Sequence, residues 1–534
     1  MDSMGGTFME NLRFEDLTLE QKLGMVYCAR PLNYVDNGSD NLEFTLELIR
    51  KRALGCVQVL PADKEAMHKI KEAADYPLLI ICDTERGFPT SKLPPISLMA
   101  LSACNKPEYF RVFAKGVVTE AKAAGYNGTW GPVIDVLSTD GPCKVRRRFS
   151  DDPMRVARGA EEIAKVYKRY GYLSCGKHYP GSESDLPFDT HMTPTDSSAT
   201  LEELMAKDLV PYRYLLEKGL LPSIMTDHKK MSAIDPVNAG SYSKAVIDII
   251  RNMGFDGVCF TDSLAMMAIQ QQYGEENMLG LAIAAGNDVV LPDYRCGVRE
   301  NFEKLVRNYK NGLFSEERLN EAVHRVLKAQ EFVGKEPECS DPFTQQDRAV
   351  FDCMARDCIT AVCDEGVSPA LPEGKTHLFV ILLKGDATEQ AASLEIGTDD
   401  WYRPAELAGK IREVYPNAGI VFLPELPRPS DNERVFIESF KYDDVVFITC
   451  CETLAYLGTD GLTRRVESVI DCINLSGKLA AVVHFGNPFA LKHLLHVPRK
   501  IFGYDMPESQ PYTVDVLAGT LPAGGTLPFD IEFK

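Results

Sequence analysis

The sequence predicts an α/β protein in which a (β/α)8 TIM barrel is followed by a smaller three-layer α/β sandwich domain. Its 534 residues exceed what a single hydrophobic core usually organises, so two domains are expected. Short apolar runs alternate with amphipathic helical stretches, the pattern of parallel strands joined by right-handed crossovers. The polar, proline-bearing stretch GKEPECSDPFTQ lacks apolar periodicity and marks the linker. We therefore expect a barrel over residues 1–338 and the second domain over 339–534.

The barrel prediction depends on apolar runs that end in polar side chains. The candidate strands are GCVQVL (55–60), PLLIICDTE (77–85), NGTWGPVIDV (127–136), LSCGKHYPG (173–181), PSIMTDH (222–228), DGVCFTD (256–262) and NDVVLPD (287–293). Seven or eight such units over this length favour a closed barrel, and a doubly wound open sheet is the alternative. Strand ends converge on one pocket in a barrel, whereas an open sheet distributes them along an edge. The clustering of polar strand ends therefore favours the barrel.

The second domain is predicted from four further apolar runs separated by helical segments. These runs are HLFVILL, AGIVFLP, DDVVFITC and KLAAVVHFG. Neither GxGxxG nor GxxxxGK[ST] follows any of them, so the sequence offers no support for a nucleotide site. The expected architecture is a sheet covered by helices on both faces.

Charge and composition restrict the partners and the compartment. The formal net charge of -19 opposes binding to nucleic acid or an anionic membrane, because both require a positive field. The amino terminus has acidic residues and no apolar run of signal-peptide length, and no segment is apolar enough to span a membrane. The 15 cysteines are scattered through apolar runs, which is typical of reduced thiols. We expect a cytoplasmic protein without a structural zinc site.

Asp262 is the first candidate for chemistry, because it ends the apolar run GFDGVCFTD. A carboxylate at the carboxyl end of a barrel strand points into the pocket, where it can act as a nucleophile, a metal ligand or a substrate clamp. The alternative interpretation is structural, since an aspartate at this position can cap the amino terminus of the following helix. The spacing alone leaves both interpretations open.

The loop KHYPGSESDLPFDTH supplies the second candidate. In an extended segment the spacing of Asp189 and His191 places both side chains on the same side, so the carboxylate can orient the imidazole and support its protonated form. A metal site built from His178, His191 and nearby acidic residues is the rival interpretation. The two histidines lack an HExxH-like helix to hold them.

An ordered series of motifs resembles glycoside hydrolase family 3, in particular its β-N-acetylglucosaminidase branch. The series is LTLEQKLG, CDTERG, GPVIDV with RRRFSDDP, KHYPG with the Asp-Thr-His close, SIMTDHKKMSAIDP, GFDGVCFTDSLAM, and, near the carboxyl terminus, HFGNPFAL and ESQPYTVDVLAGTLPAGGTLPF. The motifs extend over nearly the whole chain in the family's order. The resemblance therefore implies a TIM barrel with a second domain and a glycosidase activity.

The resemblance also implies roles for individual residues. It makes Asp262 the nucleophile and His191 the general acid/base, paired with Asp189. It makes four residues ligands of sugar hydroxyl groups: Asp83, Arg147, Lys177 and His178. Arg146 and Arg148 leave the arginine assignment open by one position, and His228 lies near the pocket without a defined role. Retaining hydrolysis needs a nucleophile and a proton donor, which fits the first two assignments.

The acid/base loop departs from the family pattern. Ser182 and Glu183 stand where the family has His-Gly, and the loop carries an apparent one-residue insertion. Glu183 or Asp185 is therefore an alternative proton donor. We expect a retaining exo-β-N-acetylglucosaminidase that acts on a small oligosaccharide or glycoside without a cofactor or metal. The alternatives are a β-glucosidase, β-xylosidase or glycoside phosphorylase of the same family, and a catalytically silent sugar-binding relative.

Overall fold

The computed structural model describes residues 10–31, 40–137, 147–181, 191–384, 401–451 and 461–533. The chain divides into two units. The first consists of residues 1–91, 113–136 and 153–343, and the second of residues 92–112, 137–152 and 344–534. Two segments that lie early in the sequence thus group with the carboxyl-terminal half. The domain boundary between 338 and 339 stays a prediction.

Strands occur in both units. In chain order they are β1 Cys28–Ala29, β2 Cys56–Gln58, β3 Leu79–Cys82, β4 Gly128–Thr129, β5 Gly176–Tyr179, β6 Asp196–Ser197, β7 Ser223–Thr226, β8 Lys230–Met231, β9 Val258–Ser263, β10 Val289–Leu291, β11 Thr360–Cys363, β12 His377–Leu383, β13 Gly419–Pro424, β14 Asp444–Cys450, β15 Leu479–Phe485 and β16 Arg499–Phe502. The small pair formed by β6 and β8 is parallel and separate from the larger sheets.

Helices alternate with these strands along most of the chain. They are α1 Leu19–Met25, α2 Asn41–Arg50, α3 Lys64–Ala73, α4 Leu98–Cys104, α5 Pro107–Ala124, α6 Pro153–Arg169, α7 Leu201–Ala206, α8 Val210–Glu217, α9 Lys244–Asn252, α10 Met267–Tyr273, α11 Met278–Ala285, α12 Val298–Lys310, α13 Glu316–Gly334, α14 Gln345–Asp357, α15 Pro404–Val414, α16 Pro429–Ser439, α17 Arg464–Leu475 and α18 Gln510–Leu517. No described helix is both long and apolar enough to cross a membrane. The cytoplasmic location stays a prediction.

The first unit contains a closed parallel barrel. Strands β1 to β4 pair in chain order, as do β5, β7, β9 and β10. Parallel bridges join the two sets at both ends: Gly128 pairs with Leu173 before β5, and Tyr27 before β1 pairs with Val290 in β10. Because the last strand returns to the first, the predicted barrel is confirmed and the open-sheet alternative is wrong.

Local chemistry explains three features of the barrel unit: an aromatic contact in its interior, the start of helix α1 and the turn after β5. Trp130 and Phe260 are buried and meet edge to face, with ring centroids 4.8 Å apart, so aromatic side chains help to fill the interior. Helix α1 begins with a capping box in which Thr18 and Gln21 satisfy each other's backbone N–H groups. Gly181 follows β5 with φ of 102°, a left-handed conformation that favours glycine and turns the chain out of the strand.

The second unit is built on a six-stranded sheet in the order β11-β16-β15-β14-β12-β13. All neighbouring strands are parallel except β11, which runs antiparallel to β16. Helix α15 packs against β12, α16 against β12 and β13, and α17 against β15. The four predicted strands of this domain correspond to β12 to β15. The predicted fold class, a barrel with a smaller α/β domain, is confirmed.

Candidate active site

The carboxyl ends of four barrel strands carry the polar residues of the candidate site. Asp83 follows β3, Lys177 and His178 lie in β5, His228 follows β7 and Asp262 lies in β9. Parallel strands of a closed barrel direct these ends to one face of the ring. The structure therefore collects in one unit most of the residues that the sequence singled out.

Lys177 is held by two carboxylates. Its Nζ lies 2.9 Å from Asp83 Oδ1 and 2.5 Å from Glu85 Oε1, and its side chain is only 3% exposed. A buried ammonium group requires such partners, because desolvation without compensation is costly. The Asp83 side chain is 56% exposed, so one partner of the lysine faces solvent, where a substrate hydroxyl group can reach it. Glu85 ends the predicted run PLLIICDTE, but the sequence assigned it no role.

His178 is oriented by Asp135. The backbone N–H of His178 donates to Asp135 Oδ1 over 2.6 Å, and its ring Nδ1 lies 2.9 Å from Asp135 Oδ2. Because a carboxylate accepts, Nδ1 carries the proton in this pair. The other ring nitrogen, Nε2, lies 4.0 Å from Asp262 Oδ2. Asp135 thus fixes the edge of the imidazole that faces Asp262, a role that the sequence motif GPVIDV did not reveal.

Asp262 does not cap the helix that follows it. Helix α10 begins at Met267 after Met266, without a side-chain cap, so the N-cap interpretation of Asp262 is wrong. Its Oδ1 instead accepts the backbone N–H of the next residue, Ser263, over 2.7 Å. The Asp262 side chain is 22% exposed and is therefore accessible, whereas the first four residues of its strand are buried.

The pKa of Asp262 is set by opposing influences. Burial raises it, but the positive charges of His178, His228 and His191 and the hydrogen bond from Ser263 lower it, and the net pKa lies below the usual value. The carboxylate is thus ionised at neutral pH, as a nucleophile must be. The same observation places the imidazole of His191 within electrostatic range of Asp262.

The acid/base loop reaches the barrel at His191. The backbone carbonyl of His191 accepts the N–H of Met267 over 3.1 Å, which ties the end of the loop to the first residue of α10. Asp189, Glu183 and Asp185 lie outside the described residues, so the pairing of Asp189 with His191 stays a prediction. Arg147 belongs to the segment 137–152 of the second unit, and its role as a sugar ligand also stays a prediction.

His228 is a feature of the site that the sequence left without a role. Its side chain is buried, with Nε2 2.9 Å from the carbonyl oxygen of Ser263 and Nδ1 2.8 Å from Ser241 Oγ. A carbonyl oxygen only accepts, so Nε2 donates to Ser263. The imidazole therefore anchors the backbone directly after Asp262. In the sequence, the signal for this role was the position of the motif SIMTDH before the strand that contains Asp262. The contact between His228 and Ser263 becomes visible only in the fold.

A metal site was the rival interpretation of the histidines. Among the residues that the structure describes, no group of three or more histidine, cysteine, aspartate or glutamate side chains is arranged to hold an ion. The ring nitrogen of His178 nearest Asp135 and both ring nitrogens of His228 contact protein groups.

Comparison with known proteins identifies the family of this chain. The profile of the Glycosyl hydrolase family 3 N terminal domain matches residues 57–329, which is more than half of the chain and extends from β2 to α13. The chain belongs to glycoside hydrolase family 3. The resemblance stated from the sequence motifs is thereby confirmed, and so is the class of enzyme, a glycoside hydrolase.

Individual relatives agree with the family. A β-hexosaminidase of Nitrosomonas eutropha is 31% identical over 226 residues, which are 40% of this chain and 64% of that protein. The chain thus matches just under two thirds of that relative's length. Among solved structures, a family 3 β-N-acetylglucosaminidase from Paenibacillus sp. has a TM-score of 0.78 at 23% identity, covering 96% of this chain and 99% of its own. A β-glucoside phosphorylase has a TM-score of 0.79 at 21% identity, covering 97% and 95%. At these identities the structures show the fold alone.

Proposed function

We propose that the protein is a retaining exo-β-N-acetylglucosaminidase that releases terminal N-acetylglucosamine from small oligosaccharides or glycosides. The observation that carries the proposal is an accessible carboxylate, Asp262, at the end of a barrel strand, with His178 Nε2 4.0 Å from its Oδ2. The charges of three histidines, one of them from the Asp-Thr-His loop, lower the pKa of this carboxylate. The β-hexosaminidase relative supports the choice of sugar. The family's β-glucosidases resemble this chain less in the Asp-Thr-His loop, because they take their acid from elsewhere.

The first half of the reaction uses Asp262 and His191. A carboxylate oxygen of Asp262 forms a bond to the anomeric carbon while the bond from that carbon to the leaving oxygen breaks. Protonated His191 delivers its proton to the leaving oxygen, so that a neutral alcohol departs and the imidazole becomes neutral. Asp189 is proposed to hold His191 in the productive orientation. An imidazole, with an unperturbed pKa of about 6.5, is suited to this transfer near neutral pH.

The second half reverses the proton transfer. Neutral His191 takes a proton from a water molecule, whose oxygen attacks the anomeric carbon and displaces Asp262. Two inversions at the same carbon give net retention of configuration. The products are N-acetylglucosamine and the regenerated enzyme, with Asp262 ionised and His191 protonated again.

The remaining residues are proposed to hold the sugar in place. Asp83 accepts hydrogen bonds from ring hydroxyl groups, Lys177 donates to them, and Glu85 keeps the lysine ammonium in position. His178 presents Nε2 beside the nucleophile because Asp135 holds its other side. Arg147 is proposed as an additional hydroxyl ligand on the strength of the family motif.

A substrate panel tests the proposal. Purified protein is assayed with chromogenic β-N-acetylglucosaminide, β-glucoside and β-xyloside, and the first is expected to be the preferred substrate. Exclusive turnover of the other two would contradict the sugar assignment. Ligand binding without turnover on the whole panel would identify a silent sugar-binding relative.

Phosphorolysis is the second candidate function. A histidine acid places less negative charge near the leaving face than a glutamate would, which makes room for phosphate in place of water. The described site has two further imidazoles, His178 and His228, near Asp262. Running the panel with and without inorganic phosphate distinguishes the two: N-acetylglucosamine is the product of hydrolysis, and its 1-phosphate is the product of phosphorolysis.

A further inference from the structure

The segment of residues 227–232 follows β7 and contacts the chain on both sides of the acid/base loop. Where the loop leaves β5, the carbonyl oxygen of Tyr179 accepts the N–H of Asp227 over 2.8 Å. Beyond the loop, the carbonyl oxygen of Thr195 accepts the N–H of Lys230 over 3.0 Å, and the parallel β6–β8 pair continues this contact. Both ends of the loop are therefore attached to one short segment of the barrel.

The position of His191 depends on these attachments, because Thr195 lies only four residues after it. The same segment also contacts the strand of the proposed nucleophile. His228 Nε2 donates to the carbonyl oxygen of Ser263, the last residue of β9. The segment thus connects the loop of the proposed proton donor with the strand of the proposed nucleophile.

A buried ion pair fixes the conformation of this segment. Lys229 Nζ lies 2.8 Å from Asp227 Oδ2, and the Lys229 N–H donates to Asp227 Oδ1 over 3.2 Å. The side chains of Lys229 and Asp227 are 6% and 13% exposed, so water competes little for either contact. On the other side, Gly240 donates its N–H to the Lys229 carbonyl oxygen, and a Cβ at Gly240 would lie 2.9 Å from the Asp227 carbonyl oxygen. The turn between β7 and β8 is therefore held by side chains and by close backbone packing.

The proposed reaction assigns no role to either residue of this pair. Burying two charges costs desolvation, so a buried pair often contributes little net stability compared with apolar residues of the same size. The location of the pair, in the turn to which both ends of the acid/base loop are attached, indicates a use in addition to stability. Proton transfer requires the donor within hydrogen-bond reach of the leaving oxygen, so its rate is sensitive to small displacements of the loop.

We propose that Asp227 and Lys229 are positioning residues that hold the acid/base loop so that His191 reaches the leaving oxygen. The inference rests on the proposed function, in which His191 is the proton donor. Loss of the ion pair loosens the segment to which the loop is attached and therefore impairs protonation of the leaving group. Asp262 is affected less, because its strand β9 is paired on both sides, with β7 and with β10.

The experiment compares two aryl β-N-acetylglucosaminides as substrates of the full chain. Phenol is a poor leaving group and needs a proton, whereas dinitrophenol departs as an anion and needs none. Because kcat/KM reports the steps up to departure of the leaving group, the ratio of kcat/KM for the phenyl substrate to kcat/KM for the dinitrophenyl substrate measures protonation. Both values come from one preparation, so the ratio does not depend on the fraction of folded protein. His191→Ala removes the donor and gives the full loss of the ratio.

In Lys229→Met this ratio is expected to fall about tenfold, a part of the roughly 10²- to 10⁴-fold that a general acid contributes. The value of kcat/KM for the dinitrophenyl substrate is expected to fall less than about threefold. The double variant Asp227→Asn/Lys229→Met removes both charges of the pair and is expected to give the same loss of the ratio. The control is Lys304→Met, because the Lys304 side chain is similarly buried, 7% exposed, and pairs with Glu300 on helix α12. It is expected to leave the ratio at the wild-type value.

The outcomes separate the inference from the proposed function. A wild-type ratio in Lys229→Met and in the double variant, while His191→Ala lowers it, would overturn the positioning role and leave the proposed function intact. An equal loss of the ratio in Lys304→Met would also overturn the positioning role, because any weakened barrel would then behave alike. A wild-type ratio in His191→Ala would remove His191 as the proton donor, and no turnover of either substrate by the wild-type enzyme would overturn the proposed function. In both of these cases the positioning role fails as well.

Discussion

Two histidines occupy matching positions in the two units and have opposite surroundings. His178 is the next-to-last residue of β5 in the barrel, and His484 is the next-to-last residue of β15 in the second sheet. The Nδ1 atom of His178 meets the carboxylate of Asp135, whereas the Nδ1 atom of His484 meets the hydroxyl group of Thr449 at 2.8 Å. The same residue type at the end of a parallel strand thus has either charged or neutral partners.

The electrostatic consequences differ accordingly. His178 contributes positive charge that lowers the pKa of Asp262. His484 is fully buried, and burial lowers its pKa to about 3, so its imidazole is neutral at physiological pH. Its Nε2 faces the thiol of Cys451 at 3.4 Å and not a carboxylate. Neighbouring groups, more than the position in an α/β fold, therefore decide whether a histidine can take part in chemistry.

The largest expected effect is at Asp262, the proposed nucleophile in the barrel. Asp262→Asn removes the attacking carboxylate, and kcat on chromogenic β-N-acetylglucosaminide is expected to fall by about 10³-fold or more. The matched control is Asp256→Asn, because Asp256 is largely exposed and pairs with Lys328 and Arg325 on the surface. Near wild-type kcat in Asp262→Asn, with an unchanged circular dichroism spectrum in both variants, would remove Asp262 from the mechanism.

A smaller effect is expected when His178 loses its charged partner. Asp135→Asn keeps the shape of the side chain but weakens the hold on the His178 ring and backbone, and kcat is expected to fall about 10²-fold through misplacement beside Asp262. A drop in kcat with little change in the melting temperature would indicate positioning. If unfolding and activity changed in proportion, Asp135 would be structural, as the partners of His484 are.

His228 should affect the pH profile more than the rate. Its positive charge is one of the causes that lower the pKa of Asp262, so His228→Ala should raise that pKa and move the acid limb of kcat/KM to higher pH. We also expect kcat to fall about tenfold, because the Ser263 carbonyl oxygen loses its donor. His228→Gln retains an amide donor without the charge and is expected to recover kcat while keeping the shifted limb. An acid limb at its wild-type position in both variants would contradict this account.

The smallest expected effect is on stability. It tests the contrast between His178 and His484 at the histidine of the second unit. The unfolded chain protonates a histidine near pH 6.5, whereas His484 in the folded chain stays neutral until about pH 3. The free energy of unfolding therefore loses up to about 1.4 kcal/mol per pH unit from this group as the pH falls below 6.5. His484→Gln should flatten this dependence in urea unfolding followed from pH 7 to pH 4, with kcat unchanged.

The control for this experiment is His68→Gln, because the His68 side chain is 73% exposed. It should leave the pH dependence of unfolding as in the wild-type chain. An equal slope in the wild-type and His484→Gln proteins would show that the neutral imidazole does not contribute to acid sensitivity.

Much of the barrel was predictable because its signals are local. Seven of its strands overlap the predicted apolar runs, and the first strand, Cys28–Ala29, was missed because two residues are too few to show a period. Four strands of the second sheet, β12 to β15, were likewise predicted. The two strands at the other end of that sheet, β11 and β16, were missed, because their sequences TAVC and RKIF are too short to stand out.

The sequence predicted which residue types form the candidate site, but it did not predict most of the contacts between them. Asp262, His178 and Lys177 were singled out because each follows or ends an apolar run. Glu85, Asp135 and Ser241 lie at distances of 92, 43 and 13 residues from the partners they hold, so no local pattern connects them to those partners. These contacts exist only because barrel closure brings separate strand ends together.

The sequence by itself determined the alternation of strands and helices and the family, and it supplied the candidates for nucleophile and proton donor, because periodicity and motif order are properties of a linear chain. Only the tertiary structure decided that the barrel closes and that His228 anchors the backbone directly after Asp262. Closure, burial and charge pairing depend on groups that are distant in sequence, and their energies are defined only once the chain has folded.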